Sequence, residues 1–455
     1  MNKLQYRHIR FLGSEGIGMS ALTRILEQGK LNGSFDPSLK ISKSDLSFKE
    51  NDPLDTDIDL VVRSTAIAEA DPDYAELRSR GVTIWHRSDM LNYLSEGYKQ
   101  VVITGTHGKT TCTAMLAYIM TEAGLDPGFA VGGMLINYDS NAKSGLGKYF
   151  VLEGDESDKS YTKTNPYLAL LTCMEPDHLE NYPGGFDEIK TCFLNFVERA
   201  ENSILCLDDP NIENFWLLNK GAKKFASYSS KNPDADFFID LKTQTLVFSE
   251  QSYKIDLPLP GNHNLINAVG CIAAAFKLGV DIDSAIKILG KFKGIRRRFE
   301  LINDKYNGSI KVYDDYAHHP TEVKAVLEGA LSLKPKRLVF VYQPHHPERT
   351  KQLWNDFIEV FKDFPDGHLC LLADIYVARS KHIEGVNSER LVREINNPNV
   401  KYLEPGQVGL TSQGNFNDMV SALKPTIDKE LEGCDYLFLV GAGNIDKVAK
   451  AFILR

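Results

Sequence analysis

The sequence predicts an α/β protein of three domains, each built on a mainly parallel sheet covered by helices. Three observations carry that prediction. The chain has 455 residues, and domains of roughly 150 residues are usual. Its 43% apolar and 25% charged residues are an ordinary globular composition with ample core-forming side chains. A unit of short apolar strand, tight turn and amphipathic helix also recurs along it. The unit appears at "HIRFLGSEGIGMSALTRILEQG", "KQVVITGTHGKTTCTAMLAYIMTEAG", "RLVFVYQPHHPERTKQLWNDFIEVFKDF" and "YLFLVGAGNIDKVAKAFI". Strands alternating with helices of this length imply parallel sheets. The joins are expected near residues 98 and 296, giving domains 1–98, 99–296 and 297–455.

The first unit places Gly13, Gly16 and Gly18 between strand and helix, followed by Met19. The spacing is GxxGxG, not the GxGxxG of dinucleotide-binding enzymes. It still offers a glycine turn and a helix N-terminus to a diphosphate.

The second unit carries "GTHGKTT" after the strand "VVIT". Free N–H groups at the start of the next helix attract phosphate, and glycines let the backbone approach it. Lys109 is expected to reach the β- and γ-phosphates and the Thr110 hydroxyl to ligate magnesium. Thr106, His107 and Thr111 complete the turn. Ile103 stands where the usual phosphate loop has its first glycine, so Gly105 and Gly108 must supply the cradle. On the helix, Met115, Leu116, Ile119 and Met120 are expected on one buried stripe.

Two acidic clusters follow apolar strands. "EGDESD" supplies Glu153, Asp155, Glu156 and Asp158, and "EPDH" supplies Glu175, Asp177 and His178. Ligands of open α/β sheets lie beyond the carboxyl ends of strands, where carboxylates and an imidazole suit one or two magnesium ions. Asn264 and Asn267 share a face at the start of a helix, and an amide can read an adenine edge. One of Arg296, Arg297 and Arg298 is expected to meet the γ-phosphate. Asp314 and Asp315 end a strand, and Pro320 starts a helix. At the last sheet, Gln343, His345, His346 and Arg349 follow one strand. Tyr376, Arg379 and Lys381 follow another. Both loops should reach the same domain edge and suit an amino-acid carboxylate.

The net charge of −9 argues against a nucleic-acid surface and a polybasic membrane patch. Seven scattered cysteines without a CxxC pair indicate neither a disulfide framework nor a zinc site. No signal peptide or long apolar run is visible. The expectation is a cytoplasmic monomer or weak homodimer.

GTHGKTT, EGDESD, EPDHLENY, GNHNLINA, RRRFE and DDYAHHPTE, in this order and spacing, resemble the Mur ligase family over nearly the whole chain. The resemblance implies a Rossmann-like UDP-binding N-terminal domain, a central P-loop ATPase and a Rossmann-like C-terminal domain for an amino acid. It implies ATP and Mg2+, with UDP-N-acetylmuramate and L-alanine as the substrates joined through an acyl phosphate. It implies Glu153 as a magnesium ligand, His178 at a second metal, Asn267 at adenine, Arg298 at the γ-phosphate and Asp315 at the ribose. The segment with Ser64, Thr65 and Ala66 matches the family's stretch after the uridine site. Gly132, Gly133 and Asn137 are implied contacts to the UDP-sugar. The attacking amine must be neutral, and His345, Glu156 and His178 are the candidate bases. His107 either touches the intermediate or shapes the turn. A ligase adding a preformed peptide, and a nucleotide-sugar-binding protein without catalysis, are the alternatives.

Overall fold

The computed structural model describes residues 6–14, 16–44, 57–64, 67, 77–157, 159–377, 381–404 and 416–453. The chain forms two compact units. One comprises Met1–Pro258 with Leu265–Lys293, the other Leu259–Asn264 with Gly294–Arg455.

The first unit holds two sheets. The N-terminal sheet contains β1 (His8–Leu12), β2 (Lys40–Ser44), β3 (Leu60–Arg63) and β4 (Thr83–His86), in the order β2-β1-β3-β4. All its pairings are parallel. The central sheet contains β5 (Lys99–Thr104), β6 (Gly128–Leu135), β7 (Ser140–Lys143), β8 (Tyr149–Glu153) and β9 (Pro166–Leu171). It continues through β10 (Asn202–Cys206), β11 (Phe225–Ser229), β12 (Phe237–Asp240), β13 (Thr245–Phe248) and β14 (Gln251–Lys254). Its order is β14-β13-β12-β11-β10-β9-β5-β8-β6-β7. The middle is parallel, whereas β7, β13 and β14 pair antiparallel at the two edges.

β5 lies between β8 and β9, so the chain leaves β5 with a carboxyl-terminal strand edge on either side. That is where an open α/β sheet takes its ligand. The helix that follows, Lys109–Glu122, is not amphipathic as expected. Every residue from Cys112 to Met120 is buried. The helix packs against β6, β8 and the helix Ile282–Leu289, so apolar residues are needed all round rather than on one stripe.

The two sheets of this unit share one core. Ile9, Phe11, Leu26 and Val62 belong to the same apolar cluster as Phe150, Leu152 and Ala169. Polar contacts fasten the helix Ile17–Leu31 to β7. Asn141 Nδ2 donates to the Ile17 carbonyl at 2.7 Å, and the Ser144 N–H donates to Gln28 Oε1 at 3.0 Å.

The second unit holds a sheet of β15 (Glu300–Tyr306), β16 (Ile310–Asp315), β17 (Leu338–Tyr342), β18 (Leu369–Leu372), β19 (Val400–Tyr402) and β20 (Tyr436–Val440). Its order is β15-β16-β20-β17-β18-β19. Only β15 runs antiparallel to its neighbour. β17 is buried along its whole length, as a near-continuous apolar strand covered on both faces should be. The helix expected after β17 is split at Leu353 into Pro347–Gln352 and Trp354–Phe361. Pro320 does open a helix, Pro320–Ser332, capped by His319 and Glu322.

Gly105 shows how tightly β5 delivers its turn. Its φ is +128°, and an added Cβ would lie 2.2 Å from Thr172 Oγ1 and 2.9 Å from the Cys173 carbonyl oxygen. Gly124 also has positive φ, +78°, but an added Cβ there meets nothing within 4 Å. Gly105→Ala is expected to lower the melting temperature clearly more than Gly124→Ala, whose cost is limited to left-handed strain of about 1 kcal/mol. Equal melting shifts in a thermal scan would contradict the close approach described here.

Candidate active site

The turn after β5 is bolted to the end of β9. The Thr106 N–H donates to the Cys173 carbonyl at 3.0 Å. The Glu175 N–H donates to Thr106 Oγ1 at 2.8 Å, and Thr172 Oγ1 donates to the His107 carbonyl at 2.6 Å. His107 Nε2 lies 3.3 Å from Glu175 Oε2. Gly108, with φ +82°, precedes the helix Lys109–Glu122 without a side-chain cap. The helix's first N–H groups therefore have no side-chain acceptor there, the arrangement that receives phosphate. An added Cβ on Gly108 would stand 3.0 Å from Asn267 Oδ1, which places the Asn267 amide beside the turn.

Lys109 is folded onto that turn. Its ammonium donates to the carbonyls of Gly105 and Thr106, both at 2.8 Å, and pairs with Glu156 at 2.7 Å. Desolvation pulls the Lys109 ammonium down, but Glu156, Asp155 and Glu153 outweigh it and hold it above the ordinary lysine range. Burial pushes the Glu156 carboxyl up, with Lys109 opposing. Beside this pair, Thr110 Oγ1 donates to Glu153 Oε1 at 2.9 Å, and Glu153 Oε2 accepts from the Gly132 N–H at 2.9 Å. A hydroxyl and a carboxylate converging at the helix start are hard oxygen donors, a set that fits magnesium. A Cβ on Gly132 would lie 2.7 Å from Glu153 Oε2, so a side chain there would push the carboxylate off its present position.

His178 adopts a left-handed conformation at the start of the short helix Leu179–Asn181, with its Nε2 3.6 Å from Asp177 Oδ2. The structure ties that short helix to the first acidic loop. Asn181 Nδ2 donates to the Ser157 carbonyl, and Tyr182 Oη donates to the Glu156 carbonyl. Asp158 lies outside the described residues.

At the N-terminal turn, Gly13 has φ +75° and Gly16 immediately precedes the helix Ile17–Leu31. Met19 is buried in the core. The Ser64 N–H donates to the Leu12 carbonyl at 3.2 Å, which brings the end of β3 alongside this turn. Thr65 and Ala66 lie outside the described residues. Asn137 has partners within the first unit. Its amide donates to the Lys291 carbonyl and accepts from the Lys293 N–H, so it pins a chain segment. Arg87 lies in the stretch that resembles the family's segment after the uridine site but has no role assigned there; its Nη2 donates to Asp155 Oδ2 at 2.8 Å.

In the second unit, the ends of β17 and β18 do bring the expected loops together. The His346 N–H donates to the Tyr376 carbonyl and the Tyr376 N–H to the Pro344 carbonyl. The His345 and Tyr376 rings stack at 5.5 Å. Gln343 turns inward and bonds Asn444 and the Ile445 N–H. Arg349 is half-buried in the helix Pro347–Gln352; Arg379 lies outside the described residues. Burial, then His346 and His318, drive the His345 imidazole down to about 3. The ring is therefore neutral near pH 7. Arg298 lies 3.9 Å from Glu322 and stands over the Tyr316 ring. Asp315 is buried, and its two oxygens accept from the Phe299 and Ala317 N–H groups, a use that stiffens the strand end. Asn264 Nδ2 donates to the Pro260 carbonyl at 2.7 Å, a local helix-start bond.

Residues 103–275 match the Mur ligase middle domain, and residues 297–443 match the Mur ligase, glutamate ligase domain. The chain belongs to the Mur ligase family. It is 35% identical to a UDP-N-acetylmuramate–L-alanine ligase of Trichlorobacter lovleyi, over 98% of each chain. It is 36% identical to the ligase of that name from Dictyoglomus turgidum, over 99% of this chain and 97% of the other. The crystal structure of UDP-N-acetylmuramate-alanine ligase from Thermotoga maritima superposes with a TM-score of 0.74 at 22% identity, covering 99% and 98% of the two chains. A murein peptide ligase from Psychrobacter arcticus reaches 0.66, also at 22%, over 99% of each. These structures share the three-domain fold.

Asp314 offers a pH test of the second unit. Burial raises its carboxyl to about 7, only partly offset by Arg297, and its Oδ1 has no hydrogen-bond partner among the described residues. The folded state thus keeps this proton up to about 7, whereas an unfolded aspartate releases it near 4. Stability from this group is present at low pH and lost as pH rises through that window. Asp314→Asn is expected to flatten the stability profile between about pH 4 and 7 and to raise the melting temperature at pH 8 relative to wild type. Thermal melts across pH check it; a variant less stable at pH 8 would reverse the sign argued here.

Proposed function

We propose that the chain is an ATP-dependent ligase that joins L-alanine to the carboxylate of UDP-N-acetylmuramate, a step in peptidoglycan precursor synthesis. The observation that carries this reading is the buried Lys109–Glu156 pair on a glycine turn beside Thr110 and Glu153, in a chain whose full-length relatives bear that name. The three sheets then correspond to modules 1–98, 99–296 and 297–455 for UDP-sugar, ATP and amino acid. An enzyme using ATP and a UDP-sugar belongs in the cytoplasm. Among the described residues, no helix is long and apolar enough to cross a membrane.

The chemistry follows from the leaving group. Oxide does not leave a carboxylate. The substrate carboxylate oxygen therefore attacks the γ-phosphorus of ATP, the bond to the β-phosphate oxygen breaks, and ADP departs. The acyl phosphate so formed has phosphate as its leaving group. The neutral amine of alanine attacks the acyl carbon, its nitrogen releases the extra proton to a base or to solvent, and the tetrahedral intermediate expels phosphate to leave the amide. Lys109 moves from the Gly105 and Thr106 carbonyls toward the transferring phosphoryl group and offsets its charge. Thr110 and Glu153 would hold magnesium, which when bound supplies Lewis-acid compensation to the phosphates. Glu156 keeps Lys109 charged and aimed. Asn267 remains at the turn for the adenine edge. In the C-terminal module, Arg349 supplies the cation for the alanine carboxylate, and His345 with Tyr376 closes off room for a larger side chain.

Glu153→Gln keeps size and loses charge. It is expected to raise the magnesium concentration needed for half-maximal activity by about tenfold or more, with the Michaelis constant for UDP-N-acetylmuramate little changed. An unaltered magnesium requirement would move the metal to other carboxylates of the loop.

Acceptance of the amino acid tests the reaction itself. With UDP-N-acetylmuramate as acceptor, phosphate release should be fastest with L-alanine and weaker with glycine and serine. A missing methyl costs about 1–3 kcal/mol in the transition state. D-glutamate and diamino acids should not be used. Preference for an alanyl peptide over free alanine would convert the assignment to the peptide-adding ligase.

A further inference from the structure

His8 starts β1, and Ser42 lies in β2, an edge strand of the N-terminal sheet. Asp57 stands just before β3. Parallel pairing sets His8 opposite Lys40 and Arg10 opposite Ser42, so alternation along the strands puts His8 and Ser42 on one face of the sheet. The imidazole lies between the other two side chains. Its Nδ1 is 2.9 Å from Asp57 Oδ1, and its Nε2 is 2.9 Å from Ser42 Oγ. The ring is 5% exposed, and Ser42 is half-buried. The His8 N–H donates to Asp59 Oδ2 at 3.1 Å, which fixes the root of the side chain.

Lys40 Nζ pairs with the second oxygen of Asp57 at 2.7 Å. Lys40, then His8, hold the Asp57 carboxyl down at about 2, so near pH 7 it is ionised and can only accept. His8 Nδ1 must then carry the proton. In the neutral ring Nε2 carries no hydrogen and accepts from the Ser42 hydroxyl. The three residues line one cavity of about 520 Å³ together with Glu27, Lys30 and Lys40. Glu27 is paired with Lys43 at 2.8 Å, and Lys30 Nζ donates to the Leu39 carbonyl.

We propose that Ser42, His8 and Asp57 form a second reactive centre, in which a serine nucleophile takes the acyl group of small activated esters. Carboxylate, Nδ1, Nε2 and hydroxyl in that order activate a serine by a base that is itself oriented. Ser42 Oγ bonds to the acyl carbon while its proton passes to His8 Nε2. The tetrahedral intermediate expels the alcohol, which takes that proton away. A water molecule repeats the step on the acyl-serine and releases the acid. Lys30, on the cavity wall, supplies a cation to the oxyanion. Asp57 is the positioning residue, which fixes the tautomer and stabilises the imidazolium. None of these residues belongs to the turns and loops assigned above to ATP, UDP-sugar or alanine.

The test uses the full chain and two probes, diisopropyl fluorophosphate and 4-nitrophenyl acetate. The first should phosphorylate Ser42 Oγ with loss of fluoride, and peptide mass mapping should place the adduct there. The second should release nitrophenolate faster than the heat-unfolded chain does. Ser42→Ala should abolish that adduct and lower nitrophenolate release to the level of the unfolded chain. Asp57→Asn keeps size and loses charge. It should slow labelling by about tenfold or more, with the Michaelis constant for 4-nitrophenyl acetate little changed. A merely structural knot of hydrogen bonds would shift melting in these variants and leave Ser42 unlabelled in wild type, and that result overturns the proposal. An adduct on other residues with none on Ser42 overturns it too. If Ser42→Ala fails to fold, the position of the wild-type adduct and the labelling rate of Asp57→Asn decide. A chain that labels at Ser42 yet releases no phosphate with alanine overturns the ligase reading and leaves this inference standing.

Discussion

A buried ion pair, Lys109 with Glu156, is the constraint on which the first unit's site depends. Two charges removed from water are costly unless every donor and acceptor is served. An ammonium has three donors, and all three are engaged, on the carbonyls of Gly105 and Thr106 and on Glu156. That demand explains the neighbours. Gly105 must take its unusual φ to turn its carbonyl to the lysine, and Tyr182 must reach the Glu156 carbonyl to hold the acidic loop in place. A phosphate entering the turn has to replace carbonyl partners of Lys109 with its own oxygens. The exchange swaps neutral acceptors for charged ones, which favours the bound state without leaving the lysine exposed in its absence.

The acidic loop divides its carboxylates by partner. Glu153 meets a hydroxyl and a backbone N–H, Asp155 meets a guanidinium, and Glu156 meets the ammonium. Four sequence positions thus hold three chemically different carboxylates. Burial raises Asp155, but Arg87 and then Lys109 hold it below the ordinary aspartate range, while burial prevails at Glu156.

What was legible in the sequence was local. The glycine turn, the strand-end acids and the helix starts at Lys109 and Pro320 follow from turn chemistry and capping within a few residues. The loops at His345 and Tyr376 were also foreseeable, because both follow apolar strands that pair in parallel. Long-range uses of a side chain were not. Nothing near Asn137 announces that Lys291 and Lys293 will occupy its amide. Nothing near Asp315 announces two backbone N–H partners. Arg87 lies 68 positions from Asp155, and nothing local announces that pairing. Periodicity failed for the helix Lys109–Glu122 for a related reason: enclosure on all sides is decided by what packs from elsewhere in the chain.

The continuous core beneath the first two sheets has a thermodynamic consequence. Ile9 and Phe11 share their apolar cluster with Phe150 and Leu152, and polar contacts join the helix Ile17–Leu31 to β7. Opening the first sheet would therefore expose side chains of the second to water. The free energy of either is conditional on the other, so the two melt as one cooperative block despite having separate hydrogen-bond ladders. An N-terminal fragment cut at the start of β5 would inherit an apolar face with no covering layer, and would meet its neighbours in solution through it.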